Sequence, residues 1–275
     1  MALHERFREI PGVNFNKNKH EIVTAVAGFL IPKVTLVEDS QENLLKMQEL
    51  RGREKSVPVE LFPRHISNID APAIYKMLVD QGYNDIADDL VFILGNRLKL
   101  NLFRRLTDAY PHITVWPPTI PAITEEEIQV QGEMNSLAER ATKEVLERGG
   151  AIVIFAQGGR EKGERFKPFE IGTGGYLSMR REMAVFPIAL DETDKVLVPA
   201  PTGVVDRIPH RHSVLMHVGE PIDTAGLRAR FNVGKVATVF EQRLGYIHEK
   251  LLEGQGKIAW SQTLREQVDD TELLY

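Results

Sequence analysis

From residue 56 onward, short apolar runs alternate with longer amphipathic stretches. The runs "SVPVELF", "LVFILG", "ITVW", "AIVIFA", "AVFPIAL" and "SVLMHVG" read as strands. Between them, helical patterns fall at about 70 to 82, 98 to 110, 125 to 148, 171 to 182 and 225 to 252. Strands alternating with helices predict an α/β fold with a mixed, largely parallel central sheet flanked by helices. The third helix has clear boundaries: Thr124 and Glu127 stand at capping-box spacing, and Gly149 with Gly150 ends it.

The first 50 residues are less regular. Their helical stretch "DSQENLLKMQELRGREK" reads either as a cover on the sheet or as a small separate unit. Upstream, "IVTAVAGFLIPKVTLV" at 22 to 37 is the most apolar segment. It is shorter than the ~20 residues of a spanning helix and is interrupted by Pro32 and Lys33. Packing on the core as a short helix or paired strand is one reading, and lying in a membrane interface is the other.

Composition narrows the chemistry. A chain of 275 residues with 43% hydrophobic content can bury a large core, which suits one main domain. The net charge of -5 gives no overall field to recruit nucleic acid, so any anion site must be built locally. There is no cysteine, which removes disulfides, thiolate zinc sites and cysteine nucleophiles and suits a reducing compartment. The start "MALHERFREIPG" lacks the apolar core and small-residue cleavage site of a secretory signal, so cytoplasmic residence is expected.

Two constellations could carry a reaction. In "LFPRHISNIDAPAIY", His65 and Asp70 lie five positions apart across a change from strand-like to helix-like sequence. On one helix they would point about 140° apart, so they can meet only across a turn. Asp70 stands at or near the N-cap of the following helix, with Pro72 in its tolerant first turn. A carboxylate there could hold a loop imidazole and make it a general base. On spacing alone, a cap aspartate beside an unrelated histidine is the more common arrangement.

The second constellation is "FAQGGREKGERFKPFEIGTGGY", where an apolar strand runs into Gly158, Gly159 and the basic residues Arg160, Lys162, Arg165 and Lys167. Glycine amides and cations after a strand suit a phosphate; a solvated basic turn is the plainer alternative. A third stretch, "GNRLKLNLFRRL", mixes Arg97, Lys99, Arg104 and Arg105 with leucines. It reads as an amphipathic helix on the core, or as a contact with anionic lipid. His210 and His212 share one side of an extended segment, but no third ligand stands at a familiar spacing, and no metal is expected.

Together these stretches resemble the glycerolipid acyltransferase family, the glycerol-3-phosphate and 1-acylglycerol-3-phosphate O-acyltransferases. "RHISNID" is similar to that family's signature of His, four residues, then Asp, with Ser67 in its usual place. "FAQGGREKGERFKPFEIG" is similar to the block usually written FPEGTRS, "AVFPIAL" to the later proline-containing strand, and "HVGEPI" to the Gly-Glu-Pro that follows. The resemblance implies His65 as the base that deprotonates an acceptor hydroxyl and Asp70 as its partner. It implies Gly158, Gly159 and Arg160 around the acceptor phosphate, with Arg97, Lys162 and Arg165 as further candidates and Ser67 and Gln157 in support. It also implies direct transfer from acyl-CoA or acyl-carrier protein, with no other cofactor.

The chain departs from the pattern at Gln157, where the family usually has Glu, and at Gly159, where it usually has Thr. The resulting Gly-Gly-Arg is closer to the soluble plant-type glycerol-3-phosphate acyltransferases, which puts glycerol-3-phosphate ahead of its 1-acyl derivative as acceptor. The intermediate block falls at "PHITVWPPT" and has no basic residue after its strand, leaving His112, Arg97, Arg104 or Arg105 to substitute, or the phosphate to Arg160 and its neighbours alone. On this reading residues 51 to 275 form the acyltransferase domain, residues 1 to 50 precede it, and the protein works at the inner face of a membrane. Two rivals stay open: an acyl-thioester hydrolase in which the same base activates water, and a non-catalytic binder of lipid phosphates.

Overall fold

A computed structural model describes residues 7, 9–37, 39–52, 57–96, 109–117, 120–155, 183–197 and 209–254, with the backbone alone at 233–235 and 237. The described strands form one nine-stranded sheet. Its centre is β3 (Val59–Pro63), flanked in parallel by β6 (Ala151–Ile154) and β7 (Ala184–Asp191). Beyond β6 lie β4 (Leu90–Gly95) and β5 (His112–Val115), also parallel, and then the short antiparallel β1 (Val13–Asn14). On the other side, β8 (Val214–Val218) runs antiparallel to β7, and β2 (Val34–Leu36) closes that edge parallel to β8; β9 (Ile222–Asp223) pairs with the start of β7. The α/β class with a mostly parallel sheet is therefore the fold observed.

The central strands are apolar on both faces because helices cover both. Val59 and Leu61 face one core shared with α1 (Lys17–Leu30), α2 (Ser40–Gly52), α3 (Asp70–Asp80) and α4 (Asn84–Asp88). Phe62, Ile152 and Val185 face a second core shared with α5 (Glu125–Glu147), α6 (Thr224–Arg230) and α7 (Val233–Gly254). The N-terminal stretch contributes to the first of these cores. Leu30, Ile31, Val34, Leu44, Met47 and Leu50 are buried in the same cluster as the β3 residues.

The predicted boundaries of α5 hold in detail. Thr124 Oγ1 accepts from Glu127 N–H at 3.1 Å, and Glu127 Oε2 accepts from Thr124 N–H at 3.1 Å. At the other end Gly149 adopts a φ of 77°, while Gly150 N–H donates to Val145 O and Gly149 N–H to Leu146 O. This pairing completes a Schellman motif. A Cβ at Gly150 would stand 2.6 Å from Val145 Cγ1 and 2.8 Å from Phe7 Cζ, so the second glycine is required for space rather than for φ.

Three expectations change or go unanswered. The helix expected over 225 to 252 is two helices, because Phe231 is extended (φ -132°, ψ 153°) and Asn232 O restarts the ladder by accepting from Val236 N–H. Of the helix expected over 98 to 110, only Ala109 and Tyr110 are described, and they form a turn and a bend. The helix expected over 171 to 182 lies outside the described residues.

Candidate active site

β3 ends at Pro63, and the chain turns through residues 64–69 into α3 at the C-terminal edge of the parallel strands, where α/β folds place their ligands. Arg64 fixes the start of this turn. Its amide donates to Ile188 O at 2.9 Å, continuing the β3–β7 pairing, and its buried guanidinium donates to Leu190 O at 3.4 Å and to His248 Nε2. Since a guanidinium only donates, Nε2 of His248 accepts, and that ring's proton sits on Nδ1.

The turn brings His65 and Asp70 together. His65 Nδ1 lies 2.9 Å from Asp70 Oδ2. The same oxygen accepts from Ile66 N–H at 2.7 Å and Ser67 N–H at 2.9 Å. An ionised carboxylate can only accept, so the shared proton belongs to His65 Nδ1 and the lone pair of the ring to Nε2, the atom able to take a proton. The Asp70 side chain has no solvent exposure, whereas that of His65 retains 19%. The pair is thus a buried carboxylate beneath a partly accessible imidazole.

The geometry sharpens one expectation. Asp70 stands next to the cap of α3: Ile69 holds the N-cap position, and Asp70 is the first helical residue. Its carboxylate turns back to the preceding loop amides instead of reaching forward to the first free N–H groups of the helix. Its Oδ1 is buried with no hydrogen-bond partner among the described residues.

Two further contacts fix the loop. Ser67 is fully buried; its hydroxyl donates to Leu197 O at 3.0 Å and accepts from Ile69 N–H at 3.5 Å. The His65 ring packs on Phe155, with centroids 4.5 Å apart and planes inclined by 38°. Phe155 directly follows β6, the hydrogen-bonded neighbour of β3. The strand that leads into the glycine-rich basic block therefore ends against the imidazole.

A family model described as Acyltransferase matches residues 41–191, more than half of the chain. The chain belongs to the acyltransferase family. This acyltransferase is accordingly an enzyme that transfers acyl groups, and the matched range contains both His65 and Asp70. No curated protein matches the chain at a significant level.

Of the other candidate residues of this acyltransferase, Arg97, Gln157, Gly158, Gly159, Arg160, Lys162 and Arg165 lie outside the described residues, as do Lys99, Arg104, Arg105 and Lys167. His112 is described and does not join the pair. It is buried on β5 in register with Phe92 of β4, three strands from β3, with Nδ1 3.2 Å from Tyr110 O. His212 lies 2.9 Å from Glu192 Oε2, and no group of three His, Asp or Glu residues able to hold a metal ion occurs among the described residues. Arg64, His248, Leu197 and Phe155 were not expected to support the loop. Their partners are far away in sequence, so spacing carried no signal for them.

Glu60 is the other unusual group near the site. It lies on β3 between Ile152 and Val185, wholly buried, with Oε1 unpartnered among the described residues. Burial pushes its carboxyl up to about 8.

Proposed function

We propose that the protein is an O-acyltransferase that moves a fatty acyl group from acyl-CoA or acyl-carrier protein to a hydroxyl of glycerol-3-phosphate or 1-acylglycerol-3-phosphate. The observation that carries this reading is the 2.9 Å contact between His65 Nδ1 and Asp70 Oδ2 at the C-terminal edge of the sheet. His65 Nε2 takes the proton of the acceptor hydroxyl as the oxygen attacks the thioester carbonyl. Collapse of the tetrahedral intermediate breaks the C–S bond, and the imidazolium returns the proton to the thiolate. No acyl-enzyme forms, consistent with the absence of cysteine.

The acceptor phosphate falls to the Gly158–Gly159–Arg160 segment, with Lys162, Arg165 and Arg97 as further candidate cations. Support for this comes from Phe155, which packs on the imidazole and stands three residues before Gly158 in the sequence. The departure of Gly159 from the usual Thr favours glycerol-3-phosphate over its 1-acyl derivative.

The deciding experiment offers purified protein mixed acyl-CoAs with both acceptors and identifies products by mass spectrometry. Acylated glycerol phosphate is expected with the parent protein and not with His65→Ala. Release of free fatty acid at an equal rate with and without acceptor, undiminished in Arg160→Ala, would instead mark a thioester hydrolase.

A further inference from the structure

Helix α1 turns an apolar stripe to the outside. Ile22, Val26 and Phe29 are 62%, 50% and 67% exposed, while His20, Ala27 and Leu30 on the other side are buried. At 100° per residue, positions i, i+4 and i+7 fall within an arc of about 60°, so the three side chains form one row. Scattered exposed hydrophobes are ordinary, but a continuous row along one helix marks a contact face.

The charges around the row indicate what it meets. At its far end are exposed Lys33 and Arg211, the latter with Cζ 5.7 Å from the centre of the Phe29 ring. The corner is built rather than incidental. His212 N–H donates to Leu30 O at 2.9 Å and Val214 N–H to Lys33 O at 3.0 Å, laying residues 210–214 along the end of α1. Glu21 is the only carboxylate between residues 17 and 37, in a chain whose net charge is -5. A pair of cations at the end of an apolar row matches a helix lying in a bilayer interface, with side chains among the acyl chains and the cations at lipid phosphates.

The face is also continuous with the catalytic loop. His210 N–H donates to Val196 O at 2.8 Å, and the next residue, Leu197, accepts from Ser67 Oγ, two residues from His65. Among the described residues no helix is long and apolar enough to cross a membrane, so contact through α1 would be superficial. We propose that the outer stripe of α1, with Lys33 and Arg211, docks the protein on an anionic lipid bilayer and sets the His65 edge of the sheet beside the lipid surface.

The test is co-flotation of the full chain with vesicles of phosphatidylcholine alone or mixed with phosphatidylglycerol. Binding to the anionic vesicles is expected, weakening as salt is raised. Val26→Ser with Phe29→Ser should lower partitioning roughly tenfold or more. Lys33→Gln with Arg211→Gln should lower it on the order of 30-fold on anionic vesicles, and little on neutral ones. Circular dichroism confirms that these surface variants fold, and His65→Ala should float like the parent, which separates docking from transfer. The proposal is overturned if the parent does not float or if both double variants float unchanged. Loss confined to Arg104→Gln with Arg105→Gln would also overturn it. So would a dimer that the serine variant dissociates without affecting flotation, since α1 would then be a self-association face.

Discussion

The amide of Ser67 donates to Asp70 Oδ2 at 2.9 Å, to the same oxygen that holds His65 Nδ1. The carboxylate is thus held by backbone as well as by the imidazole, and in the proposed reaction its removal should affect the two kinetic parameters unequally. Asp70→Asn is expected to lower kcat by roughly 10²- to 10⁴-fold, the usual contribution of a positioned base, with KM for both substrates changed little. Steady-state kinetics on the acceptor identified by the product screen check this. A tenfold rise in KM at unchanged kcat would mean that the pair binds substrate and does not activate it.

Removing the Ser67 hydroxyl leaves Leu197 O without its donor in a buried setting. Ser67→Ala should destabilise the fold by about 1–3 kcal/mol, read as a lower urea midpoint. A smaller loss of activity than Asp70→Asn is expected, because the three bonds to Asp70 Oδ2 remain. Equal losses in the two variants would assign Ser67 a direct role.

Glu60 makes stability depend on pH in a specific direction. Its folded value of about 8 lies above the ordinary 4.5. Between these values the unfolded chain gives up the proton while the folded one keeps it, so stability falls as pH rises through the window and levels off above it. At neutral pH the loss is roughly 3 kcal/mol relative to mild acid. Urea unfolding of the parent and Glu60→Gln on either side of the window should show a fall in the parent and a flatter response in the variant. Matching slopes would exclude Glu60 as the source.

Arg51 clips the end of the sheet opposite to His65. Its guanidinium donates to the Asp89 carboxylate, and to Gly149 O at 3.0 Å, joining α2 to the starts of β4 and β6. Arg51→Met leaves Asp89 buried without this cation and should cost roughly 3–5 kcal/mol. Activity per folded molecule should stay near the parent value at low temperature. Thermal unfolding followed by assay of the soluble fraction distinguishes that outcome from damage to the site.

The elements legible in the sequence were those with local signatures. All six apolar runs from "SVPVELF" to "SVLMHVG" became strands, because strands buried on both faces leave a mostly apolar record, broken in β3 by Glu60 and in β8 by His217. The capping box of Thr124 and Glu127 and the paired glycines at 149 and 150 bounded α5 for the same reason. The short β1, β2 and β9 left no comparable record, since two or three residues define no period. In the site, spacing allowed the His65–Asp70 contact and placed Asp70 at or near the cap, but it did not give the direction in which the carboxylate turns. An aspartate that reaches back to the amides at i-4 and i-3 looks in sequence like one that reaches forward. The partnership of Arg64 with His248 spans 184 positions, and nothing in either neighbourhood signals it.

Among the described residues, the three donors to Asp70 Oδ2 come from residues 65 to 67. Within that carboxylate's shell the base and its support form a six-residue cassette that closes on itself over a very short loop, at small entropic cost. Such a unit can assemble early and tolerate change elsewhere. Substitutions outside this segment can then leave the setting of His65 on Asp70 untouched, because the same short stretch carries every one of these contacts.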